Sequence, residues 1–105
     1  MELHNDIAQV KKFEAVSRIF RQLENPTRLR IFWYLCHRAE CVADIAQLLG
    51  MSSPAVSHHL RELKNCGLIV STRSGKEVYY KAATTAAAQA LHHMVEQVMQ
   101  IACPS

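Results

Sequence analysis

Asp44 to Val70 reads DIAQLLGMSSPAVSHHLRELKNCGLIV. Two helices joined by a tight turn account for it. Over Val42 to Leu49, the apolar residues Ile45, Leu48 and Leu49 fall on one side of a helix. Gly50-Met51-Ser52 interrupts that pattern, and glycine ends a helix in a left-handed conformation without steric cost. A second helix opens at Ser52 or Ser53, both good N-cap types. Pro54 follows in the first turn, where a missing N–H costs nothing. Val56, Leu60 and Leu63 recur at helical spacing and give this helix a buried stripe. Ser53, Ser57, His58 and Arg61 lie on its other side and can hydrogen-bond outward. A short helix, a glycine-containing turn and a second helix with a polar outer face make a helix-turn-helix. Its second helix has the form that enters a DNA major groove.

Downstream, Asn65-Cys66-Gly67 is a helix stop. Leu68 to Arg73 and Glu77 to Lys81 are rich in β-forming residues, with Ser74-Gly75-Lys76 as the hairpin turn between them. A hairpin in this place is a wing, with Arg73 and Lys76 at its tip, placed to reach a phosphate backbone or minor groove. The last helix runs from Thr84 to about Ala102. Leu91, Met94 or Val95, Val98 and Ile101 form its apolar face, and Ala87 and Ala90 are small enough for close packing. It carries no Lys or Arg and suits dimerisation, packed with the first helix against the same elements of a second subunit.

Upstream, Asn25 is an N-cap and Pro26 a first helical residue, so a helix runs from Pro26 to about Cys36. Leu29, Ile31, Phe32, Trp33 and Leu35 leave it little polar surface. It belongs at the centre of the core, with Arg28 and Arg30 emerging at its edge. Glu40-Cys41-Val42 suits a very short strand. The first helix runs from its cap, Asp6, to about Leu23, with Ile7, Val10, Phe13, Val16 or Ser17, Phe20 and Leu23 recurring every three or four residues. Ala15, Val16 and Ile19 widen its apolar side, which serves equally as a wide core face or as a second face for a partner.

The whole is mainly α, an α+β winged helix of about five helices in the order α-α-α-α-β-β-α. Residues 1–105 form one domain: 1–23 and 84–102 for dimerisation, 42–66 the helix-turn-helix and 68–81 the wing. With 105 residues, half of them apolar, the chain is globular and has room for one core. Its stability is marginal unless a partner adds burial. The net charge is +3, and all 12 Lys and Arg precede residue 82. The basic part can therefore face a polyanion, while the last segment, whose single acid is Glu96, is unsuited to phosphate contacts. No run of apolar residues is long enough to span a membrane. The mixed polar and charged N-terminus is not expected to act as a signal peptide, and Cys36, Cys41, Cys66 and Cys103 are scattered. Reduced thiols in a cytoplasm are therefore expected.

Three stretches, ENPTRLRIFWYL, ECVADIAQLLGMSSPAVSHHLRELKNCGLI and GKEVYYKA, resemble the ArsR/SmtB family of bacterial winged-helix repressors. The match runs from about Phe13 to Lys81. The resemblance implies a homodimer that binds a roughly palindromic operator in its own promoter, with no cofactor required for DNA binding. It also implies release by an inducer, usually a metal ion or metalloid such as zinc, cadmium or arsenite. Its recognition-helix positions fall here on Ser53, Ser57 and His58, with Arg61 on phosphate and Ser52 combining cap and phosphate roles. His59, about 100° further round the helix, is expected to be partly packed.

The inducer sites depart from the family's pattern. One known site opens the first helix of the helix-turn-helix with Cys-x-Cys, where this chain has Cys41-Val42-Ala43. A thiolate-rich cadmium or arsenite site wants three sulfurs, so Cys41 would need outside ligands such as Cys103 or the His4 of a partner's N-terminal arm. A second known site lies on paired C-terminal helices, and its positions fall here on Thr84, Ala86, Gln97 and Gln100. The same helix instead offers His92, His93 and Glu96. His92 and His93 stand four and three residues before Glu96, so either pair shares a helical face. Two such faces across a dimer axis would suit one tetrahedral zinc. A thiol- or sulfide-responsive repressor would use Cys36 with Cys103, although the family's cysteine in the second helix aligns with Trp33.

An enzyme is not expected, because the chain has no glycine-rich phosphate loop, no paired carboxylates and no cysteine with an adjacent base. A ligand-independent regulator and a purely protein-binding winged helix are the remaining alternatives.

Overall fold

A computed structural model describes residues 6–104. Five helices and three short strands follow in the order α1 (Ile7–Leu23), α2 (Pro26–His37), β1 (Glu40–Cys41), α3 (Val42–Leu49), α4 (Ser53–Asn65), β2 (Ile69–Ser74), β3 (Glu77–Ala82) and α5 (Ala86–Ala102). Polar caps set four of the helix starts. Asp6 accepts from the Gln9 N–H at 2.7 Å, Asn25 from Arg28 at 3.0 Å, Ser52 from Ala55 at 3.3 Å and Thr85 from Ala88 at 3.2 Å. The Thr85 cap moves the start of α5 to Ala86, two residues later than the sequence pattern placed it. Gly50 ends α3 with φ +64°, in the left-handed region where a side chain is strained.

The sheet has three strands rather than the two of the hairpin alone. β2 and β3 pair antiparallel from Ile69↔Ala82 to Ser74↔Glu77. That register leaves Gly75-Lys76 as a two-residue loop. β1 adds to the other side of β3 through Glu40↔Tyr80 and Cys41↔Tyr79. A two-residue strand has no periodicity of its own, so its pairing with a segment 40 residues away cannot be read locally. Structurally it ties the end of α2 and the start of α3 to the base of the wing.

The core forms around α2, as its composition requires. Ile31, Phe32 and Leu35 pack with Ile45 of α3, Val56, Leu60 and Leu63 of α4, and Leu68 and Ile69 at the start of the hairpin. Ala88 and Leu91 are the only residues of α5 buried in the subunit, and α1 buries none. Ile19 and Leu23 rest against the core, whereas Ile7, Val10, Phe13, Val16 and Phe20 face outward. Of the two faces open for α1, the outward one carries most of its apolar residues. Val98 and Ile101 of α5 are exposed as well. Among the described residues, no helix is long and apolar enough to cross a membrane.

Candidate nucleic-acid interface and metal-ligand cluster

Val56, Leu60 and Leu63 fix α4 to the core from behind, which turns its other side to solvent. Ser52, Ser53, His58 and Arg61 are exposed and Ser57 is half-buried. From Ser53 to Arg61 no acidic residue interrupts this face. The Ser52 hydroxyl oxygen accepts the Ala55 N–H, which leaves its own proton free to donate to a phosphate oxygen. His59 points to the back of the helix. Arg28 Nε donates to its Nδ1 at 3.2 Å, and Arg28 Nη1 donates to Gln22 Oε1. Burial lowers the His59 pKa, and the positive charges of Arg28 and His58 lower it further. Because Nδ1 accepts from Arg28, the ring carries its proton on Nε2 and braces the back of α4. Lys64 Nζ donates to Ser71 Oγ at 2.7 Å and ties the end of α4 to β2. At the exposed wing tip, Arg73 Nε donates to the Gly75 carbonyl at 3.4 Å, and Lys76 occupies the loop.

A second group of side chains meets where α2 ends against α5. Glu96 Oε1 lies 3.0 Å from His92 Nε2 and 3.3 Å from His37 Nε2. Trp33 Nε1 donates to the same oxygen at 3.3 Å. The His37 ring packs 4.5 Å from Trp33 and 5.0 Å, edge-on, from His92. The hydrogen bond from His92 is the largest of the influences holding the Glu96 carboxyl below its ordinary range. The donor atoms of His37, His92 and Glu96 all lie within 4.8 Å of one another. Of the residues that the sequence offered as metal ligands, the fold brings together His92 and Glu96. His93 stacks beside His92 at 5.9 Å but is outside the group. Cys41 is buried in β1 at the start of α3, and Cys103 is exposed at the end of α5. His4 lies outside the described residues.

Residues 25–71 match the family model of the bacterial regulatory proteins of the arsR family. The chain is 37% identical over 87 residues to the HTH-type transcriptional regulator CmtR of Mycobacterium tuberculosis, an alignment covering 83% of this chain and 74% of CmtR. The chain belongs to the ArsR family. This ArsR-family regulator is also 41% identical over 66 residues to a homologue of the cadmium resistance transcriptional regulatory protein CadC from Staphylococcus aureus, covering 62% of this chain and 54% of that protein. Among solved structures it resembles the homodimeric winged helix-turn-helix DNA-binding domain of a Mycobacterium bovis protein. The TM-score is 0.81 at 27% identity, over 94% of this chain and 91% of that one. Membership makes the chain a DNA-binding transcription regulator of winged-helix fold.

In this ArsR-family chain Cys36 and Cys103 are poorly placed for a link within one subunit. Cys36 lies in a cleft with Ala88, Gln89 and His92. Cys103 ends α5 eleven residues after His92, roughly 16 Å along the helix axis. A disulfide needs its Cα atoms within about 7 Å. Burial, aided by the Glu96 charge, pushes the Cys36 thiol up to about 11. Burial also raises that of Cys66, whose Sγ donates to the Leu63 carbonyl. Both thiols are half-buried. His37 and Trp33 are the members of the cluster that the sequence reading missed. Their one signal is a spacing of four on α2, which places the ring of His37 over that of Trp33.

Proposed function

We propose that this regulator is a homodimeric repressor that binds a roughly palindromic operator through α4 and the wing and is released by a metal-ion inducer. The observation that carries the DNA-binding part is the outward, acid-free face of Ser53, Ser57, His58 and Arg61 on a helix backed by three core residues. Ser53, Ser57 and His58, on the first turns, reach base edges and nearby phosphate oxygens. Arg61 contacts phosphate at the groove edge, and Arg73 and Lys76 hold the flanking backbone. Ser52 caps α4 and donates to phosphate. DNA binding needs no cofactor, and the protein acts in the cytoplasm, where its operator is.

Dimerisation is supported by the outward apolar faces of α1 and α5 and by the homodimeric state of the M. bovis domain. Metal-ion release is supported by the name of the CadC homologue and by the presence of a His-His-Glu group. The test is fluorescence anisotropy with a duplex from upstream of the chain's own gene, against a scrambled duplex. Saturable binding that prefers the first duplex and is weakened by a divalent ion is expected. No binding to any duplex at low salt would remove the reading.

A further inference from the structure

We propose that His37, His92 and Glu96 form a three-donor site, within each subunit, for a borderline divalent ion such as zinc, cobalt(II) or nickel(II). The site stands on its own geometry. Only its regulatory consequence rests on the metal-responsive reading above.

Three observations converge. The first is distance. A tetrahedral ion with bonds of 2.0–2.1 Å separates its ligand atoms by about 3.3 Å. The His37 Nε2 to Glu96 Oε1 distance is 3.3 Å and that of His92 Nε2 is 3.0 Å, so two edges of such a polyhedron already exist. The third, between the two imidazoles, falls within the 4.8 Å that encloses all three atoms. The second is donor chemistry. Two imidazole nitrogens and one carboxylate oxygen suit zinc, cobalt or nickel, while arsenite favours thiolates, and the group holds no sulfur. The third is support. The Trp33 N–H on Glu96 Oε1 fixes the carboxylate from the side of α2, as outer hydrogen bonds do around metal ligands. The His37, Glu96 and His92 side chains are 43%, 39% and 26% exposed, so an ion enters from solvent and keeps a position for water.

The place of the site gives it leverage. His37 is the last residue of α2. Arg38 pairs with Glu40 of β1, and α3 opens at Val42. On the other side, α5 has no buried residue after Leu91. An ion at Glu96 therefore pins the loosely held half of α5 to the lead-in of the helix-turn-helix. Where α5 also joins two subunits, this changes the spacing of the two α4 helices, which must match half-sites about one helical turn apart.

The test titrates metal-free protein with cobalt(II) alone and then competes with zinc. Tetrahedral cobalt(II) absorbs in the visible, and Trp33, the single tryptophan, reports the same event by fluorescence. One ion per chain is expected. His37→Asn and Glu96→Gln should each weaken binding at least about tenfold. His93→Asn, and the double variant Cys41→Ser with Cys103→Ser, should bind within about twofold of wild type. Equal binding by wild type and His37→Asn, or an equal loss in His93→Asn, overturns the site. DNA binding by the same proteins separates the two readings. Cobalt that binds as stated but leaves DNA affinity unchanged upholds the site and removes metal-ion release. DNA binding with no cobalt uptake removes the site and leaves the DNA reading intact.

Discussion

Substituting Phe13 with alanine should dismantle the proposed dimer and leave the fold. Phe13 is 69% exposed although it stands in the apolar stripe of α1. A buried aromatic side chain hides about 150–250 Å², so roughly 100–170 Å² of Phe13 remains for a partner. At about 25 cal/mol per Å² that is roughly 2.5–4 kcal/mol. A twofold interface uses the residue twice, for roughly 5–8 kcal/mol as an upper bound. The alanine methyl retains part of this, leaving about 4 kcal/mol, or roughly a thousandfold in the dimer dissociation constant. Sedimentation velocity across micromolar concentrations would read the shift from dimer to the 11.9 kDa chain. Thermal unfolding of the variant at a concentration where it is monomeric should be cooperative. Phe32→Ala is the contrasting variant. Phe32 is 0% exposed, so its loss should cost about 3–5 kcal/mol of folding stability. If Phe13→Ala dimerises like wild type and is destabilised as much as Phe32→Ala, the stripe of α1 faces its own core and the dimer surface is misplaced.

Ser52→Ala should cost about 1 kcal/mol of stability through the lost cap, measured by denaturant unfolding, and also weaken operator binding. Gly50→Ala should cost about 1 kcal/mol, because its φ of +64° strains any side chain; an unchanged midpoint would mean that the turn relaxes. Alkylation of Cys36 by iodoacetamide should be slow at pH 8 and rise until about pH 11, where its thiol ionises. The ordinary thiol value is 9.0 and the folded one is higher, so the folded chain keeps a proton that the unfolded chain loses. This contribution to stability is fully present below pH 9 and is lost as pH rises to about 11. A Cys36 rate profile levelling near pH 9 would contradict the burial assigned to it.

What the sequence made legible was local. Asn25-Pro26, Gly50 and Ser52 act through their own backbone neighbours, so helix ends and the helix-turn-helix could be read from residue types. The stripe of Val56, Leu60 and Leu63 needs only the helical period to be recognised as core. The pairing of β1 with Tyr79 and Tyr80 was hidden, because two residues carry no pattern and the partner lies far along the chain. The direction of α1 was ambiguous, since the same apolar stripe serves a core or a second subunit. The metal-ligand cluster was half visible. His92 and Glu96 share a helical face by spacing alone, but His37 joins them only because α2 ends against α5.

The most direct test of the DNA-binding account is the salt dependence of operator affinity, for wild type and Arg61→Gln. In the proposed complex, Arg61, Arg73 and Lys76 of each of two subunits would make about six phosphate contacts, and hence a slope of about −5 in log affinity against log salt. Arg61→Gln removes two of these, so its slope should be shallower by about 2, with weaker binding to specific and scrambled duplexes alike. A wild-type slope near zero, or an Arg61→Gln slope equal to that of wild type, would contradict the assignment of α4 and the wing to DNA.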